Sequence, residues 1–265
     1  MKGNFWKPFL VLFLVGMLGV LSTIFMIIPQ IAGLIASMPE LAHLPDFVIV
    51  AISLAQPTLL LAIAVAAGCI LAPRVGLRSY IAEKAGAGIA ILPHLRPQLP
   101  LAIISGLVLA VLILVLDLAF ITTIAKELQN IGTTQIHPAE QLVIGMLYGG
   151  ITEELLLRWG FMTLLVWLGW RFVQRWQGKP SAPIAWGAII LAAILFGIAH
   201  LPAMAVVVPL TAGIIARTVL LNAVGGVLFG WLFWRHSLEA AMVAHATTHV
   251  GFALIGLLAG GSIAI

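Results

Sequence analysis

The stretch LAIISGLVLAVLILVLDLAFIT, residues 101–122, decides the class of fold. Asp117 is its only charged residue. A helix that crosses a membrane requires about 20 predominantly apolar residues, so this stretch alone is long enough to cross a bilayer. A lone charge in hydrocarbon costs about 2.5–3.5 kcal/mol even on the most lenient scale. We therefore predict a transmembrane helix here, and we expect Asp117 to face a partner rather than lipid.

Comparable apolar stretches recur along the whole chain. We predict membrane spans at residues 9–28, 47–71, 101–122, 141–170, 183–200, 203–234 and 238–258. The sixth stretch is long enough for one tilted helix or for two short elements, which gives seven spans or eight. We prefer seven. No internal repeat and no long polar linker divides the chain, so we predict a single integral membrane domain over residues 1–265, an all-α polytopic transmembrane bundle of about seven to eight helices.

Composition supports this class and excludes others. Hydrophobic residues make up 62% of the chain and charged residues only 8%, whereas soluble proteins average about 25% charged residues. The net charge of +4 comes from basic residues in short loops, so it does not indicate a nucleic-acid partner. The single cysteine, Cys69, lies in an apolar run. It excludes an internal disulfide and a cysteine-based metal cluster, and its setting does not suit a catalytic thiol.

The basic residues alternate between loops. They occur at the N-terminus, in loops 72–100 and 171–182, and at Arg235, whereas loop 29–46 has none and loop 123–140 has only Lys126. Cytoplasmic loops carry the excess of Lys and Arg, so we predict a cytoplasmic N-terminus and, with seven crossings, an external C-terminus. We interpret the first span as a retained anchor and expect residence in a bacterial inner membrane.

The segment GGITEELLLRWG, residues 149–160, places three charged side chains inside the fourth span. Glu154 and Arg158 are four residues apart with the acid first, the favourable order for an ion pair on one helix face. Glu153 points about 100° away from Glu154, so Arg158 does not readily serve both acids. Such an intramembrane carboxylate is by default a functional-site hypothesis. We interpret Glu154 and Arg158 as a structural pair and Glu153 as a candidate general base.

Two further segments place histidines inside spans. FGIAH ends at His200, which precedes Pro202 by two residues, and HATTH carries His245 and His249 on one helix face. Histidines at this spacing can share a metal ion or donate hydrogen bonds into one pocket. Taken alone, His200 is better interpreted as a hydrogen-bonded core residue.

The sixth span contains the small-residue motif NAVGGVLFG, residues 222–230. Gly226 and Gly230 form a GxxxG pattern, which favours close packing of membrane helices. We expect Asn222 to form a hydrogen bond across the same interface. Asp117 and Arg217 are candidates for an ion pair between the third and sixth spans.

Taken in order, these motifs resemble those of the CPBP family, which includes the type II CAAX prenyl endopeptidases and bacterial Abi proteins. EELLLR (153–158) and FGIAH (196–200) are similar to its first two motifs. NAVGGVLFG with HSLEAAMVAH (236–245) resembles the third and the approach to the fourth. The resemblance covers roughly residues 140–252. Its fourth motif usually ends in Asn, where this chain has His249.

The resemblance implies a division of roles in an intramembrane endopeptidase. Glu153 would activate a water with the help of His200, His245 would stabilise the oxyanion, and His249 would occupy the fourth catalytic position. Four further residues would shape the site: Glu154, Arg158, Phe196 and Asn222. A neutral histidine can still donate one hydrogen bond, so an oxyanion role for His249 survives the substitution.

We expect no required cofactor; a divalent metal such as zinc, held by Glu153, His200, His245 and His249, is the alternative. The expected partners are the bilayer and a peptide or protein substrate that can itself be membrane-associated. The alternative function is a non-catalytic membrane immunity or scaffold protein that retains the fold. A proton-coupled transporter is disfavoured because its fold usually shows two related halves.

One geometric condition follows from the positions of these residues. Glu153 lies near the middle of its predicted span, whereas His200 lies at the end of its own. For the two to meet, we expect the fifth span to end inside the membrane, or the fourth to tilt or break near Gly160.

Overall fold

A computed structural model describes residues 5–124 and 136–260, and within these ranges every regular element is helical. Short 3₁₀ turns cover Pro39–His43 and Arg96–Gln98. In chain order the helices are α1 (Trp6–Ser22), α2 (Ile24–Ser37), α3 (Asp46–Val75), α4 (Tyr80–Ala87), α5 (Ile91–Leu95), α6 (Leu99–Leu118), α7 (Pro138–Val173), α8 (Ala182–Ala199), α9 (Leu201–Val207), α10 (Ala212–Arg235) and α11 (Leu238–Leu258).

The described residues contain six helices that are long and apolar enough to cross a membrane. They are α3, α5 with α6, α7, α8 with α9, α10, and α11. The pair α1 and α2 adds a seventh span if its two helices cross together. The prediction of a helical membrane bundle is confirmed, and seven is the upper count; the described ranges contain no eighth span.

The first span is bent, not straight. We predicted one helix over residues 9–28, but α1 and α2 meet at Thr23 with an angle of 47°. The hydroxyl of Ser22 donates to the Gly19 carbonyl and that of Thr23 donates to the Val20 carbonyl, each at 2.7 Å. Such hydroxyl bonds compete with the backbone ladder and bend helices.

The fifth and sixth spans divide at a different point from the one predicted. The predicted sixth span began at residue 203, but residues 201–207 form α9, which continues the fifth span to Val207. Pro202 lies in the first turn of α9, where its missing N–H would have no helical partner in any case. The proline therefore starts a helix here and does not end the span.

Small residues set the closest helix contacts. A Cβ added to Gly226 would lie 2.7 Å from Cα of Ala193, and one added to Gly230 would lie 3.1 Å from the Ile189 side chain. The close packing predicted for the GxxxG motif of α10 is confirmed; both neighbours are on α8, a partner that the sequence did not identify. On α6, Gly106 meets the Ala244 carbonyl of α11 in the same way. Close backbone approach is the usual means by which membrane helices associate.

Helix α7 is wound partly as a π-helix, over Gly145–Glu153, Leu155–Met162 and Gly169–Val173. Its middle packs on α1, α3 and α11. The Thr152 hydroxyl donates to the Gly16 carbonyl of α1 at 2.7 Å. Single π turns within α-helices are frequent at functional sites. Here Glu153 ends the first π segment, and Glu154 lies between the first and the second.

Three of the segments predicted to be cytoplasmic lie at one end of the bundle. The Leu238 amide donates to the Arg78 carbonyl at 3.1 Å, which joins the start of α11 to the loop before α4. A Cβ on Gly86 of α4 would lie 3.2 Å from Pro8 of α1. The N-terminal helix, the basic loop 72–100 and the turn after Arg235 therefore share an end, as alternation of the loops requires.

A buried carboxylate holds this end together. Glu239 of α11 accepts a hydrogen bond from the Ser79 hydroxyl at 2.6 Å and one from the Ile81 amide at 2.9 Å. The Ile81 amide belongs to the first turn of α4, where backbone N–H groups have no helical partner. Glu239 thus caps α4 from another helix, a role that the sequence analysis did not detect.

Candidate active site

The centre of the site is the ion pair between Glu154 and Arg158 on α7. Nη1 of Arg158 lies 3.1 Å from Oε1 of Glu154, and the two side chains are only 1% and 0% exposed. The pair forms as the spacing predicted. The structure also shows how the cation is held on its other side: Nη2 donates to the Gly226 carbonyl at 3.2 Å. The guanidinium lies over the rings of Phe196 and Phe229, 4.8 and 5.3 Å from their centroids, at cation–π distance.

His245 of α11 is fixed to this pair. Its Nδ1 lies 2.8 Å from Oε1 of Glu154. Because Glu154 faces Arg158 as a carboxylate, the glutamate accepts and the histidine donates from Nδ1. In the neutral ring, Nε2 then carries a lone pair. The ring stacks on Phe229, with centroids 4.4 Å apart, and Phe196 meets it edge-on at 5.8 Å.

Glu153 lies between two imidazoles. Its Oε1 is 3.9 Å from Nε2 of His200, and its Oε2 is 3.9 Å from Nε2 of His245. Both separations exceed the roughly 2.7–3.2 Å of a direct hydrogen bond, and separations of this size are the ones that a bridging water spans. The Glu153 side chain is 16% exposed and that of His200 is 32% exposed, so this face of the site opens to the surface of the protein.

His200 reaches Glu153 without an end to the fifth span. We expected the fifth span to end inside the membrane at His200, or the fourth to tilt or break near Gly160; the tilt of the fourth span stays a prediction. Instead the fifth span continues beyond His200 to Val207, and Gly160 packs against Ala64 of α3. His200 is thus an internal residue of its span. Its Nδ1 bonds to the Phe196 carbonyl at 2.8 Å, which leaves Nε2 directed at Glu153.

His249 lies one turn beyond His245. The two rings stack with centroids 5.2 Å apart and planes 19° from parallel. Among the described residues no hydrogen-bond partner contacts its ring nitrogens. Two glycines of α7 lie against the ring: a Cβ on Gly145 would be 2.5 Å from Nδ1, and one on Gly149 would be 2.7 Å from Nε2. The structure therefore gathers all four histidine and glutamate residues that the motifs indicated as catalytic.

A family model described as type II CAAX prenyl endopeptidase Rce1-like matches residues 135–251. This match supports membership of the CPBP family. The match runs from just before α7 into α11, so it includes every site residue above, while α1 to α6 lie outside it. The family description is that of a protease, and the apolar helices are those of an integral membrane protein. No curated protein and no solved structure matched the chain.

Asn222 departs from its expected contact. We predicted a hydrogen bond across the α8–α10 interface, but its amide donates to the Thr218 carbonyl, one turn earlier on the same helix, at 2.8 Å.

Asp117 and Arg217, in contrast, do meet: Nε and Nη2 of Arg217 contact the two Asp117 oxygens at 2.5 and 2.7 Å. This pair joins α6 to α10 as the sequence suggested.

The four residues considered as zinc ligands do not form a metal-binding set as they stand. Among residues 5–124 and 136–260, no group of three or more His, Cys, Asp or Glu side chains is arranged to hold a metal ion. An apolar groove of about 470 Å³ lies elsewhere on the protein. It is lined by residues of α6, α8 and α10, including Ser105, Trp186 and Trp231, and contains none of the site residues.

Sequence reasoning missed three contributors to the site. The Glu154–His245 bond joins residues 91 positions apart, and no local pattern reports such a contact. Phe229 lies within the NAVGGVLFG motif but was not distinguished from packing residues. Gly145 and Gly149 form a second GxxxG pattern, four residues apart on α7, and this spacing could have pointed to a close contact.

Proposed function

We propose that this protein is an intramembrane endopeptidase in which Glu153 activates a water for attack on a peptide carbonyl. One observation carries the proposal: the Glu153 carboxylate lies 3.9 Å from Nε2 of both His200 and His245, on a face of the site that is partly exposed. A water between these groups would be within hydrogen-bond reach of a carboxylate and of two ring nitrogens. Family membership supports the same class of reaction.

Each group has a distinct task in the proposed reaction. Glu153 accepts a proton from the water, whose oxygen then bonds to the carbonyl carbon. His200 orients the water, because its Nδ1 bond to Phe196 leaves the Nε2 lone pair facing Glu153. When the tetrahedral intermediate collapses and the C–N bond breaks, protonated Glu153 returns its proton to the leaving amine. General acid–base catalysis of this kind contributes about 10²–10⁴-fold in rate.

The tautomer of His245 changes one role that the resemblance implied. Its Nδ1 hydrogen points to Glu154, so the neutral ring has no N–H to offer an oxyanion. We therefore assign His245 to the water: its Nε2 lone pair and that of His200 are alternative acceptors for the water hydrogen that does not face Glu153. His249 becomes the oxyanion donor, because its ring nitrogens bind no other group in the described chain and a neutral imidazole carries one N–H.

The proposed reaction uses no metal ion. In the described part of the chain, no group of three or more His, Cys, Asp or Glu side chains is arranged to hold a metal ion, which supports this version. Elemental analysis of the purified protein tests it. Stoichiometric zinc in the wild type that is lost in His249→Ala would overturn the metal-free mechanism in favour of the zinc alternative.

The substrate is proposed to be a peptide or protein at or within the bilayer, because Glu153 lies inside a membrane-crossing helix. The short loops between the spans support residence in a bacterial inner membrane. A prenylated C-terminus, named in the family description, is one peptide to include among the candidates.

The test is peptide cleavage by the purified protein in detergent. Wild type is compared with Glu153→Gln, which keeps the shape but cannot accept the proton, and with His200→Ala. Glu40→Gln and His94→Ala, at exposed sites, are the matched controls. We expect the two site variants to fold and to lose about a hundredfold or more in rate, as removal of a general base does, and the two controls to cleave like wild type.

The alternative of a non-catalytic immunity or scaffold protein gives a different result. In that case wild type cleaves no candidate peptide, and Glu153→Gln still confers whatever cellular phenotype the wild type confers. That pair of results would end the protease proposal.

A further inference from the structure

The geometry points to Gly145 and Gly149 as positioning residues for His249. They are one turn apart on the π-wound part of α7, directly opposite α11. The three atoms that a Cβ on Gly145 would meet first are Nδ1, Cγ and Cε1 of His249, at 2.5, 2.6 and 3.0 Å. A Cβ on Gly149 would meet Nε2 of His249 at 2.7 Å. The imidazole thus lies against both glycines.

Neither glycine is required for its backbone conformation. Both lie within a helix, and neither is among the glycines with positive φ. The absence of a side chain therefore serves the contact and not the fold of the chain. At contacts shorter than about 3 Å the His249 ring must shift to accept a Cβ. Its stacking on His245 restricts that shift.

This contact places His249 relative to the reacting groups. Gly149 also lies next to His245, whose Nε2 would be 3.2 Å from an added Cβ, and Glu153 follows Gly149 by four residues. The two glycines let α11 approach α7 closely enough for a second imidazole to lie beside the first. Any side chain at position 149 would displace the His249 ring from its position beside His245.

The inference deepens the proposed function, on which its catalytic part rests, by naming what positions the oxyanion donor. A misplacement of about 1 Å at a catalytic group can cost about a hundredfold in rate. We expect Gly149→Ala to lower kcat by that order with little change in KM, because the substrate contacts themselves are retained.

A matched control lies next to the pair. A Cβ on Gly150 would meet Ala246 of α11 at 2.8 Å and no histidine atom among its three nearest. Gly150→Ala therefore perturbs the same helix interface by a comparable overlap without touching His249. We expect it to lower the melting temperature in detergent while leaving kcat of the folded protein near the wild-type value.

The decisive experiment is a double-mutant cycle read by melting temperature in detergent. Each glycine-to-alanine substitution is made in the wild type and in His249→Ala. In the His249→Ala background we expect the loss of melting temperature to disappear at position 145 and to shrink at position 149, where the 3.2 Å contact with His245 is left. The loss at position 150 should be unchanged. His249→Asn distinguishes the two glycine positions. In the same rotamer, Asn lacks Nε2, so the steric overlap with an alanine at position 149 is relieved. It keeps Cγ, 2.6 Å from a Cβ at position 145, so the overlap there is retained.

Equal losses in both backgrounds at positions 145 and 149 would overturn the inference, because the glycines would then not act through His249. If the losses of melting temperature depend on His249 but Gly149→Ala leaves kcat unchanged, the positioning role in catalysis is overturned. If wild type cleaves no peptide, the proposed function fails, and the temperature cycle still decides whether the glycines hold the ring.

Discussion

At the residue scale, the site is organised around one carboxylate. Glu154 contacts both Arg158 and His245 and is fully buried. The Glu154–Arg158 part was predictable, because side chains four residues apart on a helix are neighbours whatever the rest of the fold does. The His245 part was not, because it depends on how α11 packs against α7. Glu153 was correctly identified as the acid that lacks a local partner.

The buried pair predicts a strong and non-additive effect on stability. Arg158→Met removes the cation from beside a buried carboxylate and should cost about 3–5 kcal/mol. The double variant Arg158→Met with Glu154→Gln should cost less than the sum of the single variants, because no charge is then left unpaired. Unfolding in detergent measures all three.

Arg78→Met is the control for this cycle. Arg78 pairs with Glu83 at 3.0 Å, but its side chain is 48% exposed, and exposed pairs contribute about 0–1 kcal/mol. A loss at Arg78 equal to that at Arg158 would contradict the assignment of Glu154 and Arg158 as a buried structural pair.

At the scale of the helices, small residues set which elements meet. The role of Gly226 and Gly230 was readable from their spacing, whereas the partner helix was not, because spacing says only that a close contact exists. The end of the fifth span was misjudged for a physical reason. A proline two residues after His200 is compatible with a new first turn as well as with a stop, and the sequence alone does not distinguish the two.

Adjacent glycines on α10 give a matched test of this interface. An alanine at position 226 would place its Cβ 2.7 Å from the Ala193 backbone, whereas one at 225 would be 3.4 Å from the Phe229 ring. Overpacking of this kind costs about 1–3 kcal/mol. Gly226→Ala should therefore lower the melting temperature clearly and Gly225→Ala only slightly; equal effects would argue against the register in which α8 and α10 pack.

The cap supplied by Glu239 predicts a local effect. Glu239→Ala removes the acceptor for the Ser79 hydroxyl and the Ile81 amide, and loss of a helix cap costs about 1 kcal/mol. We expect faster cleavage by trypsin at Lys84 in the folded protein. Glu239→Gln, which keeps an acceptor oxygen, should be cut at close to the wild-type rate.

At the scale of the whole molecule, the arrangement of the loops was largely predictable. Hydropathy gives the spans, and the alternation of basic loops gives the sides. The structure places the N-terminal helix, α4 and the start of α11 at a common end. Which end faces the cytoplasm remains a prediction from the charges. The bend at Thr23 could not be predicted from the sequence, because Ser and Thr hydroxyl groups bend some helices and not others.

Cysteine labelling tests the orientation in intact cells. Cys69 is first replaced by Ala, and single cysteines are introduced by Glu40→Cys and Lys84→Cys at exposed positions on either side of α3. A membrane-impermeant maleimide should label the first variant before lysis and the second only after lysis. The reverse pattern would invert the predicted topology.

The pair between Asp117 and Arg217 bears on how the protein is made. Each of these residues is an isolated charge within its own helix, and they are 100 positions apart in the chain. While the ribosome is still extending the polypeptide, α6 therefore enters the bilayer with an acid whose counter-ion has not yet been synthesised. Until α10 arrives, α6 is expected to stay at the insertion machinery or to hold Asp117 near the headgroups. Stable insertion of α6, which lies outside the family match, then depends on the synthesis of α10, which lies within it.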